Sequence, residues 1–585
     1  MTDQEKMIEE FFNRGVLINP DLLYKGIKNS LFEKISSEAD IMVLNNDYVD
    51  LITQSKSLVD WYDLDHYRVN AEKDRDDDLY QTQLLHFQKS TLSIDSSNIP
   101  PSSNTSSSSS FSSSLINQNS NIHQEQHFSS LETELEENTS SFSTNISNID
   151  SHSSIFTPQS DQNLQLITSV TIVISYENKP HKYNVEDFTH FFNSRYKYLE
   201  NILRNRQELQ NVTSINRVLA KKEKEEVSII GLVDDIGETK NGNLIITLED
   251  LTGKIKVVIG KSKKELFSAA KELVVDEVIG ITGVCGDKII FLQNIIWPDI
   301  PNDHELKKGE NEEYIIFLSD IHVGSKLFLK EEFEKFIRWI NSEVGNETQR
   351  EIAQKVKYII IAGDLVDGVG IYPSQEEELE INDIKEQYAE FTRLIKKIPS
   401  SKNIIMCPGN HDMVYLAEPQ PVFYQEFAPD LFSLPNITLV TNPAIVNIGK
   451  TKTFSGFDIL LYHGYSFDYY VANVESIRIG GGYHRSDLIM KFLLKRRHLA
   501  PSFRSTPYFP AHTEDPLLIK KIPDFFITGH IHYSSVANYR GVTMISGSCW
   551  QGKTGFQEKL GHEPEPARVP LVNLKTREIK VLRFG

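Results

Sequence analysis

The stretch EYIIFLSDIHVG, Glu313 to Gly324, decides how the C-terminal half of this chain is read. Its apolar run, Tyr314 to Leu318, is too short for a buried helix and suits a strand covered on both faces. The run stops at Ser319, and two side chains able to bind a metal follow, Asp320 and His322. The same sentence recurs down the chain. KYIIIAGDLVDG ends in Asp364 and Asp367, KNIIMCPGNHD in Asn410, His411 and Asp412, LLYHGYS in His463, and ITGHIHYS in His530 and His532. Between the first three runs lie amphipathic helices, with Phe333, Phe336, Ile337 and Ile340 on one face, then Ile384, Tyr388, Phe391 and Ile395. Strands alternating with helices predict an α/β layered domain over 312–585, with its ligands at the carboxyl ends of strands. His530 and His532, two apart, are expected to share one side of an extended backbone and so point at one spot.

A buried rim of carboxylate, amide and imidazole is costly unless a cation compensates it. Mixed oxygen and nitrogen donors without thiolate suit manganese, iron or zinc. A carboxylate between two donor sets can bridge two ions about 3.5–4 Å apart.

Upstream, from 223 to 300, the texture is β. VSIIGLVDDI is followed by a hairpin turn at Asn241-Gly242, then LIITLEDLTGKIKVVIG, a helical KKELFSAAKELV and the closing strands of VIGITGVCGDKIIFLQNIIW. This order resembles an OB-fold β-barrel. The stacking aromatics that would grip single-stranded nucleic acid are nearly absent from its strands, which favours a structural role against the next domain. Residues 164–222 read as a strand (ITSVTIVISY) and a helix carrying Phe191, Phe192, Tyr196, Leu199 and Leu203, a lead-in to the barrel. Residues 91–163, with PSSNTSSSSSFSSS, are too poor in apolar side chains to offset ordering entropy and read as a disordered linker. Residues 1–75, with Ile8, Phe11, Phe12 and Val16 at helical spacing, read as a small helical module.

Cys285, Cys407 and Cys549 show no paired spacing, which argues against a zinc ribbon or a disulfide framework and fits a reducing cytoplasm. No apolar run is long enough for a membrane span, so a soluble, cytoplasmic protein is expected. The formal net charge of −20 has the wrong sign for holding nucleic acid by bulk electrostatics. A local basic cluster, Arg485, Lys491, Lys495, Arg496, Arg497 and Arg504, is a candidate DNA contact, although such a run is ordinarily a solvated helix face. His484 and His512 lie in the same insertion and read as satisfied or exposed histidines.

Taken in order, D-x-H, G-D-x-x-D, G-N-H-D, H and G-H-x-H resemble the signature of the calcineurin-like metallophosphoesterases, with every element present. The resemblance implies a layered β-sandwich with flanking helices. It also implies one metal held by Asp320, His322, Asp364 and His532, and a second by Asp364, Asn410, His463 and His530, with Asp364 bridging. His411 matches the family's catalytic histidine, beside the metals and not on them. Asp367 and Asp412 would orient ligands or shape turns. An OB-like domain before the phosphoesterase, together with RIGGGYHRSDLIMKFLLKRRHLAPSFRSTPYFPAHTEDPLL and ISGSCWQGKTGFQEKLGHEPEPARVPLVNL, is similar to the small, or B, subunits of archaeal family-D DNA polymerases. That resemblance implies a 3′–5′ exonuclease using two divalent ions, manganese foremost with iron or zinc as alternatives. Its partners would be a polymerase large subunit, a DNA primer-template and a sliding clamp. The alternatives are a non-catalytic scaffold subunit and a free-standing phosphodiesterase.

Overall fold

The structure, a computed structural model, describes residues 170–585 apart from 177–181, 210, 222–223, 511–513 and 560–561, with the backbone of 17–18 and 43–44. Those two short strands, β1 (Leu17–Ile18) and β2 (Val43–Leu44), pair in parallel. The rest of the expected N-terminal helical module and the whole Ser-rich linker lie outside the described residues, as does His512.

Strand β3 (Val170–Ile174) leads to helix α1 (Val185–Arg204) and the short α2 (Ile215–Leu219). A closed barrel follows: β4 (Glu226–Glu238), β5 (Leu244–Asp250), β6 (Gly253–Ile259), helix α3 (Lys264–Ala270), β7 (Val278–Cys285) and β8 (Ile289–Ile296). Its order is β4-β5-β6-β8-β7, with β6 and β8 parallel and the other pairs antiparallel, an OB-fold arrangement. The alternating pattern of β6, where Ile255, Val257 and Ile259 are buried and Lys254 and Lys256 are exposed, is that of a strand with one face on the barrel core.

The C-terminal domain is two six-stranded sheets packed face to face. The first comprises β9 (Tyr314–Leu318), β10 (Val356–Ala362), β11 (Asn403–Cys407) and β12 (Ile437–Leu439) in parallel, with β18 (Arg568–Asn573) and β19 (Ile579–Arg583) antiparallel at one edge. The second has the order β16-β17-β15-β14-β13-β3 and contains β13 (Ala444–Ile448), β14 (Phe457–Leu461), β15 (Phe525–Thr528), β16 (Ser535–Tyr539) and β17 (Val542–Ser546). Ile315, Phe317, Ile360 and Ile405 from one sheet meet Val446, Ile459, Phe525 and Ile545 from the other. Helices α4 (Lys330–Ile340) and α6 (Ile384–Ile395) cover the outer face of the first sheet through Phe333, Phe336, Tyr388 and Phe391. Helices α7 (Phe467–Asn473) and α9 (Ser486–Arg496) cover the second through Tyr470, Ile489, Met490 and Leu493. The order is helix, sheet, sheet, helix, the layered sandwich expected. The central strands β9, β14 and β15 are buried along their whole length, which is why they read as unbroken apolar runs.

The lead-in segment is not a separate connector. β3 pairs antiparallel with β13 and forms an edge of the second sheet. Helix α1 buries Tyr196, Leu199 and Leu203 against the barrel strands, while its Arg195 forms a buried ion pair at 2.7 Å with Asp515 of the phosphoesterase domain. The barrel docks on α9 through a second buried pair, Arg496 with Glu277, at 2.9 Å. Among the described residues, no helix is long and apolar enough to cross a membrane.

Candidate metal centre

β9, β10, β11, β14 and β15 end at one rim of the sandwich, and the loops that leave them carry the expected residues. Asp320, His322, Asp364 and His463 are all at most 1% exposed. Asp364 stands between two donor sets: its Oδ2 is 3.8 Å from His322 Nε2 and 3.3 Å from His463 Nε2. On one side His532 Nε2 is 3.0 Å from His322 Nε2 and 3.6 Å from Asp320 Oδ1. On the other, Asn410 Oδ1 is 2.9 Å from both His463 Nε2 and His530 Nδ1. The seven side chains thus converge about the Asp364 carboxylate. Asp320, His322 and His532 are close enough to surround one ion, and Asp320, Asp364 and His463 close enough to surround another.

Each imidazole has a partner for the nitrogen turned away from the centre. His322 Nδ1 lies 3.1 Å from Asp367 Oδ1, and His463 Nδ1 donates to the carbonyl of Ala362 at 2.8 Å. His530 Nε2 lies 2.9 Å from Asp468 Oδ2, and His532 Nδ1 lies 2.8 Å from the amide of Gln557. At His322, His463 and His530 the outward nitrogen faces an oxygen acceptor, which turns the other nitrogen inward as a lone-pair donor, the usual outer support of a metal site; at His532 the Gln557 contact fixes the ring's orientation. Asp367 is itself held by the amides of Gln375 and Gln551 at 3.0 and 2.8 Å. Asp412 accepts from the Gly409 amide at 2.9 Å and the Tyr388 hydroxyl at 3.1 Å, and so shapes the loop that presents Asn410 and His411. The inward nitrogens of His322 and His532, 3.0 Å apart, are close enough to meet at one cation.

The charges respond to this crowding. Burial alone raises the Asp364 carboxyl, yet His463 and His411 outweigh it and hold the group well below the usual range. Burial opposes the charged form of His463, but the carboxylates of Asp364 and Asp320 push it up to about 10. The carboxylates thus favour positive charge at this spot, the electrostatics that a divalent cation would meet.

The expected extended backbone at His530 and His532 is corrected by the structure. β15 ends at Thr528, and both histidines have left-handed backbones, with φ of 69° and 57°. Asp320, His322 and Asp364 do too, with φ of 52°, 53° and 53°. Such conformations cost about 1–3 kcal/mol each and persist where the surroundings impose them, as at functional sites. His530 and His532 therefore converge through a sharply turned loop and not through strand alternation. The glycines of the motifs provide clearance. A Cβ on Gly409 would lie 2.2 Å from Asp364 Oδ1, and one on Gly529 2.6 Å from Asp320 Oδ2.

His411 stands beside the centre. Its backbone N–H donates to Asp364 Oδ1 at 2.8 Å, its ring Nδ1 donates to the carbonyl of Asp367 at 2.7 Å, and its ring lies 4.6 Å from that of His322. His322, Asp367 and His411 are also close enough to surround a cation.

The basic cluster does not form one face. Arg496 is 2% exposed and paired with Glu277; Arg497, 5% exposed, caps its helix and donates to the carbonyls of Ile519 and Lys520. Lys495 sits 3.6 Å above the Trp297 ring, facing the barrel. Arg485 and Arg504 are exposed, the former paired with Asp487 at 2.8 Å. Three of the six basic residues are therefore turned inward, Lys495 and Arg496 toward the barrel and Arg497 onto the segment at Ile519 and Lys520.

Asp468, Gln375, Gln551 and Gln557 were not singled out from sequence. Asp468, five residues after His463, carried no motif; its role comes from α7 packing beside the loop of His530.

The fold and the converging donors define a calcineurin-like phosphoesterase, and the family model of that description matches residues 314–534. A model for an OB-fold nucleic acid binding domain matches residues 227–288. The DNA polymerase II small subunit of Methanothermobacter thermautotrophicus is 40% identical over 401 residues, covering 68% of this chain and 80% of that one. That of Archaeoglobus fulgidus is 40% identical over 402 residues, covering 69% and 78%. That of Pyrococcus furiosus is 39% identical over 404 residues, covering 68% and 64%. The chain belongs to the family of archaeal DNA polymerase II small subunits.

Proposed function

We propose that the chain is a 3′–5′ exonuclease subunit of a DNA polymerase, one that removes mispaired 3′ ends while a large subunit synthesises DNA. The observation that carries this reading is the intact set of seven donors, Asp364 and the six about it, with His411 at one side. A subunit that served only as a scaffold would have no need for five strained loop residues or for the buried carboxylates.

Asp320, His322, Asp364 and His532 would hold one divalent ion, and Asp364, Asn410, His463 and His530 the other; the donor chemistry suits manganese first, then iron or zinc. Such ions lower the pKa of bound water and stabilise charge developing on a phosphate. Asp367, Asp468 and the amide of Gln557 orient the imidazoles. Nε2 of His411 is placed to steady the phosphate or to protonate the leaving oxygen. Arg485 and Arg504 are the remaining candidates for contact with the DNA backbone.

The relatives' names support a large catalytic subunit as partner, and the net charge of −20 supports the same, since a primer-template would be held poorly by this chain alone. A sliding clamp is a further proposed partner, and a cytoplasmic location follows from the role. The test is the product. A primer labelled at its 3′ terminus should release labelled 5′-mononucleotides in manganese; internal fragments or release from the 5′ end would overturn the reading.

A further inference from the structure

A cavity of about 310 Å³ lies beside the loop that carries His530 and His532. Ile531, between His530 and His532, forms part of its wall. Two ring pairs stand on it: His484 edge-on to Tyr533 with centroids 4.8 Å apart, and Tyr483 against His562 at 4.2 Å. The glycine run of RIGGGYHRS, which the phosphoesterase motifs leave unused, supplies the backbone of Gly481 and Gly482 to the lining. Arg478 and Glu563 add a donor and an acceptor. The cavity is tied to the centre through shared neighbours. Tyr483 hydrogen-bonds Asp468, the partner of His530, and the His562 backbone N–H donates to the carbonyl of Gln557, whose amide meets His532.

Rings on the walls with a few polar groups are the chemistry that takes a planar heteroaromatic base. The volume lies at the low end of the roughly 300–1,000 Å³ typical of small-ligand pockets, enough for one nucleoside and too little for a base pair. We infer that this cavity receives the 3′-terminal nucleobase, lifted off its template, of a strand whose scissile phosphate lies at the metal centre. This rests on the reading of the centre as a 3′–5′ exonuclease. Selectivity for mispaired ends then follows: a mismatched terminus leaves its stack at low cost, a paired one does not.

The experiment measures anisotropy of 5′-labelled single strands with the full-length chain in EDTA, one strand ending in a normal nucleotide and one in an abasic nucleotide. It is paired with initial rates on both strands in manganese. The base-bearing end should bind and be cut roughly tenfold or more better than the abasic end, the scale of one base–aromatic stack. His484→Ala and Tyr533→Leu should erase that preference while leaving abasic cleavage unchanged, and His484→Phe should restore it. Equal binding of the two ends, no binding of the base-bearing end, or a preference untouched by both variants overturns the inference. Preferential binding without any cleavage would sink the exonuclease reading and keep the cavity; cleavage indifferent to the terminal base would do the reverse.

Discussion

Asp364 and His411 touch the same centre in different ways, and their loss should be separable. His411 binds the centre through its backbone N–H and has Nε2 free, so His411→Ala should lower cleavage by about 10²–10⁴-fold while metal content, read by elemental analysis, stays at two ions per chain. Asp468→Ala removes the acceptor that turns His530 inward; calorimetric titration with manganese should show one of two sites weakened by about 10–100-fold. An unchanged isotherm would remove Asp468 from the site. At this scale the motif residues were legible because each follows a strand too apolar to read otherwise. Asp468 and Gln557 were not, since what makes them matter is the loop conformation at His530 and His532, and left-handed backbones at non-glycine residues leave no mark in a sequence.

At the scale of elements, helix α9 shows why charge runs mislead. Its sequence alternates apolar and basic residues as a solvated or DNA-facing helix would, yet seven of its residues are buried, Arg496 among them, because the barrel covers the side that the phosphoesterase core does not. Periodicity reports that a face is charged and not what lies against it. Glu277→Leu should leave Arg496 buried without its partner and destabilise the chain by about 3–5 kcal/mol in urea unfolding, whereas Glu277→Leu with Arg496→Met should recover most of the loss. Equal stability of single and double variants would deny the pair this role. The other inter-element contact carries a pH signature. His498 accepts from the Ala500 amide at Nδ1 and donates to Asp515 from Nε2, a neutral tautomer fixed between Asp515 and Arg195. Burial, with Arg195 nearby, pulls its pKa down to about 4. The unfolded chain therefore takes up a proton at His498 near pH 6.5 that the folded chain refuses until about 4. Stability from this residue is complete above pH 6.5 and falls, by up to about 3 kcal/mol, as the pH drops to 4. Melting temperatures across that window should fall less steeply for His498→Gln than for the wild type; parallel slopes would place the acid sensitivity elsewhere.

Over the whole molecule, the α/β layering and the barrel followed from strand periodicity and turn residues, because buried strands and hairpins are written locally, whereas the two-sheet sandwich came with the resemblance to the calcineurin-like phosphoesterases. The joining of β3 to the second sheet was not legible, since its partner β13 lies far along the chain and an edge strand looks alike in any sheet. A chain of net charge −20, with three of its candidate DNA-binding basic residues turned inward, should depend on a partner to hold DNA, so digestion is best measured both with and without the large subunit. The direct measurement is manganese-dependent shortening of a 5′-labelled primer with a mismatched 3′ end, beside Asp364→Ala and His411→Ala. The account predicts stepwise loss of nucleotides from the 3′ end with the wild type, loss slowed by about 10²–10⁴-fold with His411→Ala, and none with Asp364→Ala. An intact primer, with the large subunit present and two ions bound per chain, would contradict it and leave a scaffold.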